Sequence, residues 1–145
     1  MKKLILLFAC VLLLTSCSVD DESNIFLVPV EVVETNLPPL FSPGENFIVD
    51  VTYLLPDVCH IPAGLQVTRG AEHGPERRDI YVTGVASITE GMECDTEGGD
   101  LEKEGSFRII IDETEPYTFY LWTGYDENDK SIFTEVIVPV GVTNE

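Results

Sequence analysis

Alternation of apolar residues with other side chains over residues 47–55 is the sequence feature that most constrains the fold of this chain. Apolar residues occupy every second position, with the polar residues Asp50 and Thr52 between them; the apolar residues are Phe47, Val49, Val51, Tyr53 and Leu55. Successive side chains of a β-strand point to opposite faces, so the pattern predicts a strand with one buried face. Almost no segment of the chain has apolar residues at helical spacing, which favours an all-β protein.

Six further segments rich in β-branched and aromatic residues predict strands, with glycine, proline and acidic turn signals between them. They are residues 25–33, 65–69, 80–88, 107–111, 117–122 and 132–140. Pro29 indicates an edge strand or a bulge, because proline has no N–H for the ladder. The apolar run at residues 107–111 favours a central strand. Seven short antiparallel strands predict a two-sheet sandwich, with a closed barrel as the alternative.

The last two predicted strands form a hairpin that can be compared with hairpins of known folds. The aromatic strand at residues 117–122 turns through Asp126 to Lys130 into the strand at residues 132–140. This hairpin resembles the final two strands of immunoglobulin-like domains, which implies a seven-stranded antiparallel Ig-like β-sandwich. The remaining segments match such domains in strand number alone. Cys59 and Cys94 lie near predicted strand ends or loops, which differs from the cysteine positions of antibody domains.

The N-terminus has the pattern of an export signal. Lys2 and Lys3 precede an apolar run at residues 4–14, which small residues connect to Cys17. As a helix the run would be about 16 Å long, well short of a hydrocarbon core of roughly 30 Å. The pattern therefore predicts a secretory signal peptide.

Leu14-Thr15-Ser16-Cys17 resembles the lipobox of bacterial lipoproteins. The resemblance implies a signal peptide at residues 1–16, a lipid on the Cys17 thiol, a tether at residues 17–24 and a domain at residues 25–145. An ordinary signal peptide with an incidental cysteine is the alternative. The acidic cluster after Cys17 resembles the export signal of Bacteroidota surface lipoproteins. It implies an outer-membrane protein exposed on the cell surface, with the periplasmic leaflet as the alternative.

The charge balance narrows the classes of partner. Acidic residues outnumber basic ones by 26 to 8, and the formal net charge is -18. Nucleic acid is excluded as a partner, because phosphate contacts need clustered Lys and Arg. The length of 145 residues suits one domain. No cofactor is predicted.

Two cysteines remain for the exported domain. Cys59 and Cys94 would meet an oxidising compartment, where a disulfide is the expected state. Zinc is the alternative, with His60 and His73 completing four ligands, but these residues lack the usual paired spacing. The sequence therefore predicts a Cys59–Cys94 disulfide and no metal site.

Three further groups of residues are candidate sites. Seven carboxylates at residues 90–104 suggest calcium, but they lack the EF-hand order, which favours a solvated acidic loop. Arg69, Arg77 and Arg78 form a local basic patch that would contact an acidic ligand or pair with the neighbouring acids Glu72, Glu76 and Asp79. Trp122 and nearby tyrosines suggest a sugar-stacking platform, although a core role is favoured.

Catalysis has little support in the sequence. His60 and His73 have no nucleophile nearby in a motif such as G-x-S-x-G. Acids are so abundant that a glycosidase pair cannot be identified. We therefore expect no catalytic residues and a lipid-anchored, noncatalytic module that binds an envelope protein or a glycan. The alternatives are a structural accessory subunit of an outer-membrane complex and a carboxylate-dependent hydrolase.

Overall fold

The computed structural model describes residues 24–91, 93–94 and 98–141. The predicted signal peptide, the lipidation site Cys17 and the tether up to residue 23 lie outside these ranges. Seven strands confirm the all-β class and the strand number: β1 (Ile25–Thr35), β2 (Asn46–Leu54), β3 (Ile61–Arg69), β4 (Asp79–Thr89), β5 (Glu102–Ile110), β6 (Tyr117–Tyr125) and β7 (Ser131–Val138). A 3-10 turn, Pro75–Arg78, precedes β4. None of the described residues belongs to a helix long and apolar enough to span a membrane.

The seven strands are hydrogen-bonded into one sheet with the order β5-β2-β1-β4-β6-β7, and β3 pairs with β4. Strand β1 connects the two halves of this sheet. Residues 25–30 pair with β4, and residues 31–35 pair with β2, with a register shift between Val32 and Glu34 inside the second pairing. One continuous strand thus changes partner between Val30 and Glu31.

The sheet is mixed, so the prediction of purely antiparallel strands is wrong. Residues 79–82 of β4 run parallel to residues 118–121 of β6. Between these two strands the chain passes through β5, which pairs with β2 in the other half of the sheet. A crossover of this kind returns the chain in the same direction, whereas a tight hairpin would reverse it.

One predicted strand position needs correction, and another is confirmed in part. Pro29 predicted an edge strand or a bulge: β1 is an inner strand of the order, but it contains a register shift between Val32 and Glu34. At Pro29 it pairs on one edge, with Val85 of β4, so the missing N–H disrupts no second ladder. β5 lies at an edge of the sheet in the described residues and not at its centre. Ile110, which contributed to the apolar run, is 57% exposed.

The core is built from the inward rows of several strands. Val49, Val51 and Tyr53 of β2 are buried as predicted, whereas Phe47 is half-buried. Ile80, Val82 and Ala86 form a buried row along β4. Gly84 lies within the same row, where a Cβ added to the glycine would fall 2.8 Å from the Cβ of Tyr53 on β2. Glycine therefore permits a close approach of β2 to the backbone of β4.

Candidate functional site: an uncharged aromatic groove

An uncharged groove lies where residues of β1, β3, β4, β6 and β7 meet, and we call it the aromatic groove. Its volume is about 300 Å³. Aromatic, aliphatic and neutral polar side chains line it: Leu27, Val28, Pro29, Gln66, Thr83, Val85, Trp122, Tyr125, Ser131 and Phe133. In a chain of net charge -18, a concavity without an ionic side chain is a distinct chemical environment.

Phe133, which lines the groove, belongs to a cluster of three aromatic rings. Tyr81 of β4 and Tyr120 of β6 are register partners, and their rings stack with centroids 4.7 Å apart. Phe133 of β7 meets both rings edge-on, at 5.6 Å from Tyr81 and 6.3 Å from Tyr120. Side chains at paired positions of adjacent strands share a face, so the ladder itself aligns these rings.

Trp122 and Tyr125 form one wall of the groove. Residues three apart on a regular strand face opposite sides, but the register shift between Trp122 and Gly124 brings both rings together. Their centroids are 5.2 Å apart in an edge-to-face arrangement, and the indole N–H donates to Ser131 Oγ at 3.2 Å. Trp122 is only 7% exposed, whereas Tyr125 is 53% exposed. Trp122 is thus buried, as the core interpretation expects, and Tyr125 carries the exposed ring.

The hydroxyl of Tyr120, whose ring contacts Phe133 of the groove, stays neutral over the physiological pH range. Burial raises the pKa of Tyr120, and the charges of Asp79 and Glu135 raise it further. A phenol held in this form both donates and accepts hydrogen bonds. The lining of the groove itself offers hydroxyl and amide groups without a charge, and the carboxylates of Asp79 and Glu135 lie near Tyr120, outside that lining.

A second and larger groove has the opposite chemistry. This acidic groove has a volume of about 630 Å³ and is lined by residues of the β1–β2–β5 half, including Glu34, Asp50 and Glu104. Asn36 Nδ2 donates to Asp50 Oδ2 at 2.8 Å, and Asp50 N donates to Asn36 Oδ1 at 2.8 Å. All three carboxylates are exposed. The acid of a glycosidase is instead held in an apolar pocket, so this groove has little in common with such a site.

The three arginines singled out by the sequence lie around the 3-10 turn. Arg77 donates through Nη1 to Glu113 Oε1 at 2.8 Å and through Nη2 to Asp112, while Arg78 Nη1 lies 3.9 Å from Glu115 Oε2. Arg69 Nη1 donates to the carbonyl of Arg77 at 2.9 Å. The acids that pair with Arg77 and Arg78 thus come from the connection between β5 and β6, and not from the adjacent acids that the sequence suggested.

These ion pairs link two distant parts of the chain. The hydrogen bond from Arg77 holds the pKa of Asp112 below its usual value, and the Tyr117 hydroxyl donates to the same carboxylate at 3.0 Å. Asp112 and Glu113 in turn raise the pKa of Arg77. The arrangement gives Arg77 a structural role, and ligand contact by Arg69, Arg77 and Arg78 stays a prediction.

The predicted Cys59–Cys94 disulfide is present, with Cα atoms 5.7 Å apart. It links the β2–β3 connection to the β4–β5 connection. Asp57 lies beside it, accepts the N–H of Cys59 at 2.9 Å, and contacts His60 Nδ1 at 2.7 Å. The bond to His60 holds the pKa of Asp57 below its usual value. Asp57 is a site residue that was not predicted, although its position two residues before Cys59 is evident in the sequence.

The acidic stretch at residues 90–104 is only partly a loop. Glu102 and Glu104 belong to β5, Glu90 Oε2 accepts from Asn24 Nδ2 at 2.9 Å, and Asp100 lies 3.4 Å from Lys103 Nζ. Within the described residues, no three carboxylates of this stretch converge as metal ligands do. Residues 95–97 lie outside the described ranges, so calcium binding there stays untested.

Comparison with protein-family models finds no match, and neither the curated proteins nor the solved structures contain a significant one.

Proposed function

We propose that this chain is a lipid-anchored, noncatalytic binding module of the bacterial cell surface, and that the aromatic groove binds a neutral glycan. The observation that carries the proposal is the absence of ionic side chains among the groove's lining residues in so acidic a chain. Ligand sites combine apolar and aromatic surface with a few polar groups that fix orientation. The groove has this composition.

The groove chemistry favours a sugar over a charged metabolite. The exposed ring of Tyr125, held edge-on by Trp122, offers a stacking surface for the C–H face of a sugar. Gln66, Thr83 and Ser131 supply amide and hydroxyl groups for sugar hydroxyls. A charged ligand would find no counter-charge among the lining residues and would lose hydration on entry.

We also propose that the two halves of the sheet face each other as an Ig-like sandwich. Residues of β2 and β5 share one buried cluster with residues of β4 and β6, among them Val51, Ile109, Val82 and Phe119. A single layer would leave one face of these strands to water, whereas two layers bury the inward rows against each other. In this arrangement the aromatic groove lies on an outer face, accessible to a ligand.

The membrane anchor is the second part of the proposed function. It rests on the resemblance of residues 14–17 to a lipobox and of the acidic cluster after Cys17 to a surface-export signal. A lipid on Cys17 would hold the domain at the outer membrane on a short polar tether. Replacement by Cys17→Ala should leave the protein unacylated and in the soluble fraction; incorporation of labelled fatty acid into that variant would refute the anchor.

Glycan binding is tested with the purified protein on an array of neutral and anionic oligosaccharides, followed by calorimetry with any neutral ligand found. Tyr125→Ala should weaken binding by roughly 2- to 10-fold, because one aromatic contact contributes about 0.5–1.5 kcal/mol. Ile48→Ala is the matched control, since Ile48 is also about half exposed, at 48%, and lies on β2. Equal affinity in both variants, or binding of acidic glycans alone, contradicts the proposal.

A structural accessory subunit is the second candidate, and one observation favours it. Ile25, Phe26 and Leu27 open β1 and are 65%, 50% and 69% exposed, directly after the proposed tether. A run of exposed large apolar residues is typical of protein contacts. Co-purification of a partner from detergent-solubilised envelope that is lost in Phe26→Glu, with no glycan bound, would favour this role.

A further inference from the structure

The two disulfide sulfurs and the Asp57 carboxylate form a cluster of potential metal ligands, separate from both grooves. Ligand atoms of Asp57, Cys59 and Cys94 all lie within 4.8 Å of one another, and in the part of the chain that the structure describes this is the one such group of three. Asp57 Oδ1 lies 3.7 Å from Cys94 Sγ. The two sulfurs and the carboxylate come from two different connections of the fold and meet at one point.

We propose that these three residues form a zinc site when the disulfide is reduced, with His60 orienting the ligating carboxylate. Thiolate sulfur and carboxylate oxygen are both zinc ligands, and three protein ligands leave the fourth tetrahedral position to water. The proposal does not depend on the glycan-binding function, because it concerns other residues.

The redox step balances with a phosphine as the reductant. The phosphine and one water supply two electrons and two protons, and phosphorus leaves as the phosphine oxide. The S–S bond breaks, and Cys59 and Cys94 each gain an S–H bond. Zinc binding then displaces both thiol protons into solvent and leaves two thiolates on the metal.

The carboxylate beside the sulfurs argues for a cation over a reactive thiol. Reactive cysteines lie next to positive groups that stabilise the thiolate, whereas Asp57 places a negative charge 3.7 Å from Cys94 Sγ. Two thiolates and a carboxylate together would repel one another without a counter-ion. A divalent cation would neutralise most of the negative charge of the two thiolates and the carboxylate. The three groups therefore suit metal binding better than a role as a reactive thiol.

His60 is the positioning residue of the site. Its Nδ1 lies 2.7 Å from Asp57 Oδ1, and the two side chains are only 11% and 16% exposed. Metal-binding side chains are commonly held by such an outer partner, whose loss costs about 10- to 100-fold in metal affinity. His73, the other imidazole that the sequence offered as a ligand, lies on the exposed β3–β4 connection and outside this group.

Zinc would replace the disulfide as a cross-link between the same two connections. The test uses the full chain reduced with tris(2-carboxyethyl)phosphine, titrated with zinc against a chromophoric chelator. We expect one zinc per reduced chain beyond the background of a Cys59→Ser, Cys94→Ser double variant, and protection of both thiols from alkylation. If the reduced chain binds no more zinc than that double variant, the site does not exist.

Two pairs of variants separate ligation from folding. Asp57→Asn retains an oxygen that accepts the Cys59 N–H, yet should bind zinc about tenfold or more weakly; His73→Ala should bind as the wild type does. His60→Leu should weaken zinc binding, and His60→Gln, which keeps a side-chain donor, should recover part of it. Each variant should still form the disulfide on oxidation, as a check of the fold. Undiminished zinc affinity in Asp57→Asn refutes its role as a ligand, and in His60→Leu refutes positioning by His60.

Discussion

Replacement of Gly84 by alanine tests the close approach between the two halves of the sheet. A methyl group on Gly84 would lie 2.8 Å from Tyr53 Cβ, 2.8 Å from Val30 Cγ2 and 2.9 Å from Tyr53 Cγ. Gly84 has no positive φ, so alanine meets no backbone strain and the clash acts alone. Tyr53 Cβ is fixed to the β2 backbone, so the contact is relieved only by moving one strand from the other.

The expected loss of stability follows from two opposing effects. Overpacking of a well-packed core costs about 1–3 kcal/mol, and replacing a strand glycine recovers about 0.5–1 kcal/mol of backbone entropy. The net loss for Gly84→Ala therefore lies between about 0 and 2.5 kcal/mol; the middle of this range is about 1.3 kcal/mol, or roughly 4–6 °C in Tm for a domain of this size. Thermal unfolding followed by circular dichroism measures it.

Gly141→Ala is the control, because a Cβ added there would meet Leu40 Cδ1 at an ordinary 3.5 Å. Its Tm should stay within about 2 °C of the wild type, as for most changes away from tight packing. A second check is Val30→Ala in the Gly84→Ala background, which removes the Cγ2 contact and should cost less than the sum of the single changes. If Gly84→Ala unfolds at or above the wild-type temperature, β2 does not pack against β4 as described.

Two further changes test the cross-links. Cys59→Ser should lower the free energy of unfolding by up to about 3.8 kcal/mol, the loop-entropy value for this sequence separation of 35, and leave Cys94 open to alkylation without reductant; an unchanged unfolding midpoint would argue against a stabilising bridge. Asp112→Asn should make the free energy of unfolding depend less on pH in acid. The Arg77 hydrogen bond lowers the pKa of Asp112 in the folded state. The Asp112 carboxylate therefore stabilises the fold above the unfolded pKa near 3.9, and this stabilisation is lost as the pH falls below about 4. Urea unfolding at pH 3 and pH 6 should differ less in the variant than in the wild type, and an equal difference would show that this ion pair is not the source.

Strand positions were predictable because period-2 patterning depends on local chemistry alone. The strands predicted at residues 47–55 and 80–88 correspond to β2 (Asn46–Leu54) and β4 (Asp79–Thr89), with each end within one residue of the prediction. β3 and β5 both begin before their predicted starts, because their first residues look like turns or loops. Pro62 and Gly64 lie at a register shift in β3, and Glu102 and Glu104 are the outward row of β5.

Strand order and the candidate site were harder to predict from the sequence. The parallel pairing of β4 with β6 depends on where β5 finds its partner, which is a long-range property that no local pattern encodes. Tyr125 joins Trp122 only because of a register shift, and a regular strand would place them on opposite faces. Asp57 was visible in the sequence, but its approach to Cys94 depends on two connections meeting.

The difference in charge between the two grooves connects the fold to the proposed function. Exposed carboxylates of Glu34, Asp50 and Glu104 line the acidic groove, and no carboxylate lines the aromatic groove. A uniformly acidic surface would repel anionic surfaces and keep the protein soluble without selecting a ligand. An uncharged groove within such a surface is different, because a neutral ligand enters it without stripping water from an ion. The net charge therefore limits nonspecific contact, and the aromatic groove is a described surface that an uncharged ligand can enter without desolvating an ion of its lining.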